Sequence, residues 1–197
     1  ALFGLAIIAI LIVLALVPDL FAPYDPYEPF PGRRGEGPSP AHPLGFDEIG
    51  RDVLSRVIYG SRIALLVGLA ATSISLAIGV SVGAAAGYFR HRVDPVLSRV
   101  LDTLMDFPTL PLLAALAASI WPSLRTVVLV IGFTSWAQYA RVVRAEVMSL
   151  RERDFVLAAR ALGVPDYRII FRHLLPNVLG VIVVIASLSI AGVILAE

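Results

Sequence analysis

The chain contains no cysteine and no lysine among its 197 residues. Without cysteine there is no disulfide, no thiolate zinc site and no cysteine nucleophile. Without lysine there is no phosphate-binding GxxxxGK[ST] loop and no Schiff-base amine, so any nucleotide must bind another chain. All 16 basic residues are therefore arginine, the formal net charge is +1, and no nucleic-acid partner is expected. Charge is scarce as well: charged residues make up 16% and apolar residues 58% of the chain, where a soluble domain is roughly 45–50% apolar. With a mean hydropathy of +0.84, this composition is that of a membrane protein. Its three histidines, His42, His91 and His173, are scattered along the chain, and neither an HExxH pair nor a GxSxG elbow occurs. Ser187 and Ser189 read as helix serines bonded to backbone rather than as nucleophiles. No enzymatic chemistry, cofactor or metal is expected of this chain.

What is present is a series of uncharged runs, each near the roughly 20 residues that a crossing helix needs. Residues 1–18 form the first. With no basic region ahead of it and no small-x-small site before a soluble domain, it reads as a span rather than a cleaved signal. Residues 19–62 are rich in proline and glycine and carry mixed charge, an irregular segment outside the membrane. Within it, apolar residues recur at helical spacing from Asp47 to Tyr59 beside Arg51 and Arg56, which predicts a short helix on the membrane surface. Further spans are expected at about 63–89, 103–124, 125–145 and 178–197. The third opens with Pro108 and Pro111, tolerated in a first turn whose donors lack partners, and ends at an interfacial Trp121 and a turn at Pro122. The expected fold is thus an all-α polytopic bundle with five visible spans, and a sixth beyond the apolar run that stops at Glu197.

Gly79, Gly83 and Gly87 stack on one helix face in the second span. Such a column lets two helix backbones approach closely; the other reading is a glycine-lined permeation surface. Asp102 and Asp106, one turn apart ahead of the third span, read as acids favoured near a helix start, with an ion path as the alternative. Thr134 and Gln138 either line a path or bond to neighbouring helices. Ten arginines, Arg90, Arg92, Arg99 and those from Arg141 to Arg172, fall on one side of these spans and six on the other, which places the loop at 147–177 in the cytoplasm.

That loop reads as two short amphipathic helices split by Gly163. Phe155, Ala159 and Leu162 recur as one apolar stripe, kept shallow by Ala158 and Ala159, so the helix can seat in a partner's groove. Gly163 can adopt the left-handed conformation that ends a helix, and Pro165 and Asp166 suit a new first turn. Ile170 and Leu174 continue an apolar face until Pro176 denies the next turn its hydrogen bond.

The run Ala158, Ala159, three residues and Gly163, then a tract ending Leu175 and Pro176, resembles the cytoplasmic EAA loop of permease subunits in ATP-binding-cassette importers. The wider stretches SLRERDFVLAARALG (Ser149–Gly163) and RIIFRHLLPN (Arg168–Asn177) resemble the dipeptide, oligopeptide and nickel permease family among them. HPLGFDEIGRDVLSRVIYGSRIAL (His42–Leu65) sharpens that likeness. Two positions depart from the family pattern: its glutamate before the paired alanines is Leu157 here, and an apolar position two before Leu175 is His173. No contact through that acid can be carried over. The resemblance implies a multi-pass subunit of a bacterial or archaeal inner membrane. It implies as partners a second permease, two cytoplasmic subunits that bind ATP and magnesium, and an external solute-binding protein. It also implies an ATPase-coupling role for Arg153, Asp154, Phe155, Ala158, Ala159, Leu162, Gly163, Leu175 and Pro176. A secondary transporter or channel is the competing class, but it would usually need ionisable groups near the bilayer midplane, and the apolar runs carry none. A membrane-anchored binding protein is the third; its external segment, only about forty residues, is small for an independent core.

Overall fold

The computed structural model describes residues 2–89, 94–106 and 123–196. Among the described residues the regular structure is helical, with one isolated antiparallel bridge, Phe46 to Asp52, in the irregular segment between residues 22 and 52. The helices are α1 (Leu2–Leu16), α2 (Pro18–Phe21), α3 (Val53–Tyr88), α4 (Asp94–Asp106), α5 (Leu124–Leu150), α6 (Asp154–Ala161), α7 (Asp166–Ile169) and α8 (Leu175–Ala196), with a π turn at Ile170–Leu174 between the last two. Among the described residues, three stretches are long and apolar enough to cross a membrane: Val53–Tyr88, Leu124–Leu150 and Asp166–Ile190. α1 is 15 residues long, and the expected third span, with Pro108, Pro111, Trp121 and Pro122, lies outside the described residues.

The chain divides into two compact units, residues 1–66 and 67–196. In the first, the irregular segment is organised by rings. Tyr24 stacks on His42 at 4.5 Å, and Phe30 and Phe46 meet the same imidazole at 5.2 and 4.3 Å. The same imidazole makes a buried hydrogen bond, His42 Nδ1 to Asp52 Oδ1 at 2.9 Å. The segment therefore has a small aromatic core of its own. A chain so short of regular structure closes it through tight backbone approaches. Gly50, at φ +88°, lies so near the Phe30 carbonyl that a Cβ would come within 2.8 Å of its oxygen.

No helix forms over residues 47–52. Asp47 holds a turn instead, its Oδ1 accepting from the Ile49 and Arg51 backbone N–H groups at 3.0 and 2.9 Å. Its Oδ2 accepts from Arg51 Nε at 2.9 Å and from Arg56. The helix starts at Val53 because Asp52 caps it: Oδ2 accepts from the Ser55 N–H at 2.8 Å and from Ser55 Oγ at 2.7 Å. From there α3 runs unbroken for 36 residues, about 54 Å at 1.5 Å per residue, so the expected surface helix and second span are one element.

The second unit packs α3 against α5. α5 starts at an N-cap, Ser123, whose Oγ accepts from the Thr126 N–H at 3.2 Å. Ser75 Oγ on α3 donates to the Gly132 carbonyl on α5 at 2.9 Å, beside a close approach of Gly132 to Ile74. Leu101 on α4 packs with Ala137 and Ala140 on α5. At the same contact Arg141 Nη2 donates to Asp102 Oδ1 at 2.7 Å. Asp102 lies in the last turns of α4 and its carboxylate meets a guanidinium on another helix; the start of the uncharged run that the two acids precede lies outside the described residues. Thr134 Oγ1 donates back to the Val130 carbonyl of its own helix, and Ser187 Oγ likewise to Val183.

Candidate functional site

The loop joining α5 to α8 carries most of the residues singled out in the sequence. α5 closes at Leu150, where the Arg151 N–H donates to the Val147 carbonyl at 2.9 Å. Arg153, with extended backbone, is the N-cap of α6; its side chain makes no cap bond, and Asp154 in the first turn places a carboxylate at the positive dipole end. Along α6, Val156 and Ala159 are buried, while Phe155, Leu157 and Ala158 face solvent. This divides the stripe expected to be continuous. Ala159 turns into the chain's own core with Val143, Val147, Ile169 and Leu174, whereas Phe155 and Leu162, at 42% and 83% exposure, turn out of it. Two apolar faces share this short helix, and spacing alone does not tell which one the chain keeps for itself.

The turn after α6 is a Schellman motif. The Gly163 N–H donates to the Arg160 carbonyl and the Val164 N–H to Ala159, at 3.0 and 3.1 Å, so carbonyls orphaned at the helix end are paired. Gly163 sits at φ +73°, as the motif requires, and Val164 packs back onto the core that includes Ala159. Pro165 then serves as N-cap and Asp166 opens α7.

The helix does not stop at Pro176. Residues Ile170–Leu174 widen into a π turn, in which the Leu175 N–H donates to the Ile170 carbonyl, and Pro176 falls at the second position of α8. A proline ring would press on the carbonyl four residues back in a regular α-helix; the wider turn gives that carbonyl room. Leu175 is half-buried against the core, and Asn177 Nδ2 donates to the His173 carbonyl at 2.6 Å next to the proline.

Tyr88, the last residue of α3, is a contact that sequence reasoning missed. Its hydroxyl donates to Asp166 Oδ1, its carbonyl accepts from Arg151 Nη1 at 2.7 Å, and the Arg160 guanidinium lies 5.3 Å over its ring. These partners are distant in sequence, and a tyrosine at the end of an apolar run carries no signal beyond that of an interfacial anchor.

The glycine column lies against α5. A Cβ on Gly79 would come within 2.6 Å of Tyr139 Cβ, one on Gly83 within 2.5 Å of the Ala140 carbonyl oxygen, and one on Gly87 within 2.7 Å of the Arg144 oxygen. The two backbones are therefore in direct contact over two helical turns. Among the described residues, no cluster of three or more histidine and acidic side chains could hold a metal ion.

Several apolar helices and a basic, partly apolar loop between two of them define a multi-pass membrane protein. Residues 79–197 match the model of the binding-protein-dependent transport system inner membrane component family, and the chain belongs to that family. Residues 1–38 match the N-terminal transmembrane domain of oligopeptide transport permease C. Among its relatives is the dipeptide transport system permease protein DppC of Alkalihalophilus pseudofirmus, 38% identical over 195 residues, 99% of this chain and 64% of that protein. The di/tripeptide transport system permease protein DppC of Pseudomonas aeruginosa is 38% identical over 201 residues, 99% of this chain and 66% of its own. The oligopeptide transport system permease protein OppC of Bacillus subtilis is 33% identical over 197 residues, 100% of this chain and 65% of its own. The chain thus spans less than two thirds of the length of these relatives.

Proposed function

We propose that this chain is a permease subunit of an ATP-binding-cassette importer, forming half of a translocation path for peptides and taking its drive from cytoplasmic ATPases through the loop at 147–177. The observation that carries this reading is the outward face of that loop. Phe155, Leu157 and Leu162 are exposed beside Arg153 and Arg160, between α5 and the apolar stretch that begins at Asp166. Apolar side chains clustered in water within a charged rim mark a surface made for another protein. The excess of arginine on that side supports a cytoplasmic loop, on the side where ATPases would act. A second permease completes the path, and an external binding protein delivers the solute. The relatives' names favour di-, tri- and oligopeptides over nickel or another small solute.

In this assembly ATP draws two ATPases together, and the loop seated on them moves with them. Nucleotide can shift the path only through its differential affinity for two states of the assembly, so the loop is the contact that links the two equilibria. The test is Leu162→Asp in the chain co-expressed with its partner permease and ATPases. Purification through a tag on this chain should recover the partner permease in full and the ATPases much depleted, with ATP-dependent uptake of a tripeptide into vesicles lost. Undiminished ATPase with full uptake would remove the docking role from this face.

A further inference from the structure

We infer that Tyr88 is a positioning residue that ties the end of α3 to the loop, giving loop movement a path into the membrane that the chain connection alone does not provide. The inference rests on the docking role proposed above. By sequence the loop adjoins only α5 and α8. By contact it also grips α3, where Tyr88 is held from three separate segments: Arg151 just past α5, Arg160 on α6 and Asp166 at the start of α7.

Each of these contacts answers a need of the helix end. The Tyr88 carbonyl is one of the last four of α3, which have no partner within the helix, and the Arg151 guanidinium supplies both a donor and positive charge at the negative dipole end. The hydroxyl, on a side chain almost fully buried, needs an acceptor, and Asp166 provides a charged one. The cation over the ring fixes the ring plane that aims the hydroxyl. One residue earlier, Gly87 packs directly against Arg144 and Val147, which seats this end of α3 on α5. A displacement of α6 and α7 must therefore carry the end of α3 with it.

The hydroxyl can be removed without the ring. Tyr88→Phe should leave assembly and ATPase recovery at wild-type levels, because Phe155 and Leu162 are untouched, yet lower the peptide taken up per ATP hydrolysed by roughly ten-fold, the weight of one charge-assisted hydrogen bond. Asp166→Ala should do the same. Asp166→Asn keeps an acceptor for the hydroxyl without its charge and should fall between wild type and Asp166→Ala in peptide taken up per ATP, with ATPase recovery unchanged. The double variant Tyr88→Phe with Asp166→Ala should be no worse than either single change. Unchanged uptake per ATP in both single variants would overturn the inference, as would loss of the ATPases from the Tyr88→Phe complex, which would make the hydroxyl part of docking instead. Failure of the docking role itself shows separately, as ATPases retained by Leu162→Asp.

Discussion

A Cβ on Gly83 would stand 2.5 Å from the carbonyl oxygen of Ala140, closer than real Cβ atoms come to a backbone oxygen. The contact is backbone against backbone, so neither partner can rotate away. Gly83→Ala should therefore force α3 and α5 apart and cost about 1–3 kcal/mol, the usual range for overpacking. Gly180 on α8, with nothing within 4 Å of its Cβ position, is the internal control. Thermal unfolding in detergent should show a clear fall in Tm for Gly83→Ala and little change for Gly180→Ala. Equal Tm values, with altered solute preference at position 83, would favour a permeation surface.

The cap on α3 should be sensitive to acid. Burial of Asp52 acts to raise its pKa, but hydrogen bonds from the Ser55 N–H, His42 and Ser55 Oγ, with the charge of His42, outweigh that and hold the carboxyl below its ordinary 3.8. Between the lower folded value and 3.8 the unfolded chain binds more protons, so stability rises with pH across that window. The contribution is complete above pH 3.8 and drains away as pH falls below it. Hydrogen exchange at the Val53 and Ser55 amides should quicken over that window. Asp52→Ala should quicken it at neutral pH too, by about 1–2 kcal/mol of lost cap, and flatten the acid dependence.

Sidedness can be measured directly because the chain has no native thiol. Ser149 and Glu28 are both exposed, one at the end of α5 and one in the proline-rich segment. A membrane-impermeant thiol reagent should label Glu28→Cys in intact cells and reach Ser149→Cys only after permeabilisation. The reverse pattern would invert the topology.

Within the loop, Ala158 and Ala159 should part company. Ala158→Glu faces solvent and should leave the chain stable while weakening recovery of the ATPases. Ala159→Glu puts a charge into the core beside Val143 and Val147 and should destabilise the loop itself, by several kcal/mol for an unpaired buried carboxylate. Limited proteolysis separates them: the loop should be cut faster in the second variant alone.

Gly163 has free space around its Cβ position, so bulk is not what restricts it. The restriction is its φ of +73°, and asparagine, which tolerates that region, should be milder there than valine. ATPase recovery with Gly163→Asn should exceed that with Gly163→Val; the opposite order would argue that side-chain size governs the turn.

Local chemistry was legible in the sequence where one residue decides. Gly163 ends α6, Asp166 begins α7, and the charged loop stands apart from the apolar runs because composition and backbone preference act over a few residues. What periodicity hid was the choice between two equally periodic faces, as at Phe155 and Ala159, and a helix start lying inside a periodic stretch, as at Asp52. Ile49 is spaced like a helical residue, yet Asp47 gathers the neighbouring N–H groups into a turn. The π turn before Pro176 was hidden because a proline signals a lost donor but not how the chain accommodates it. His42 with Asp52 and Tyr88 with Asp166 lie 10 and 78 residues apart, and nothing local announces either pair.

The Schellman turn at Gly163 limits this loop by handedness. An L-residue placed there must adopt a backbone shape natural to its mirror image, and glycine alone among the coded residues has no hand. Substitutions elsewhere on the exposed face can change size and charge without touching that backbone. The bend between α6 and α7 stays fixed by stereochemistry, so the surface can be rewritten around a corner whose angle does not vary.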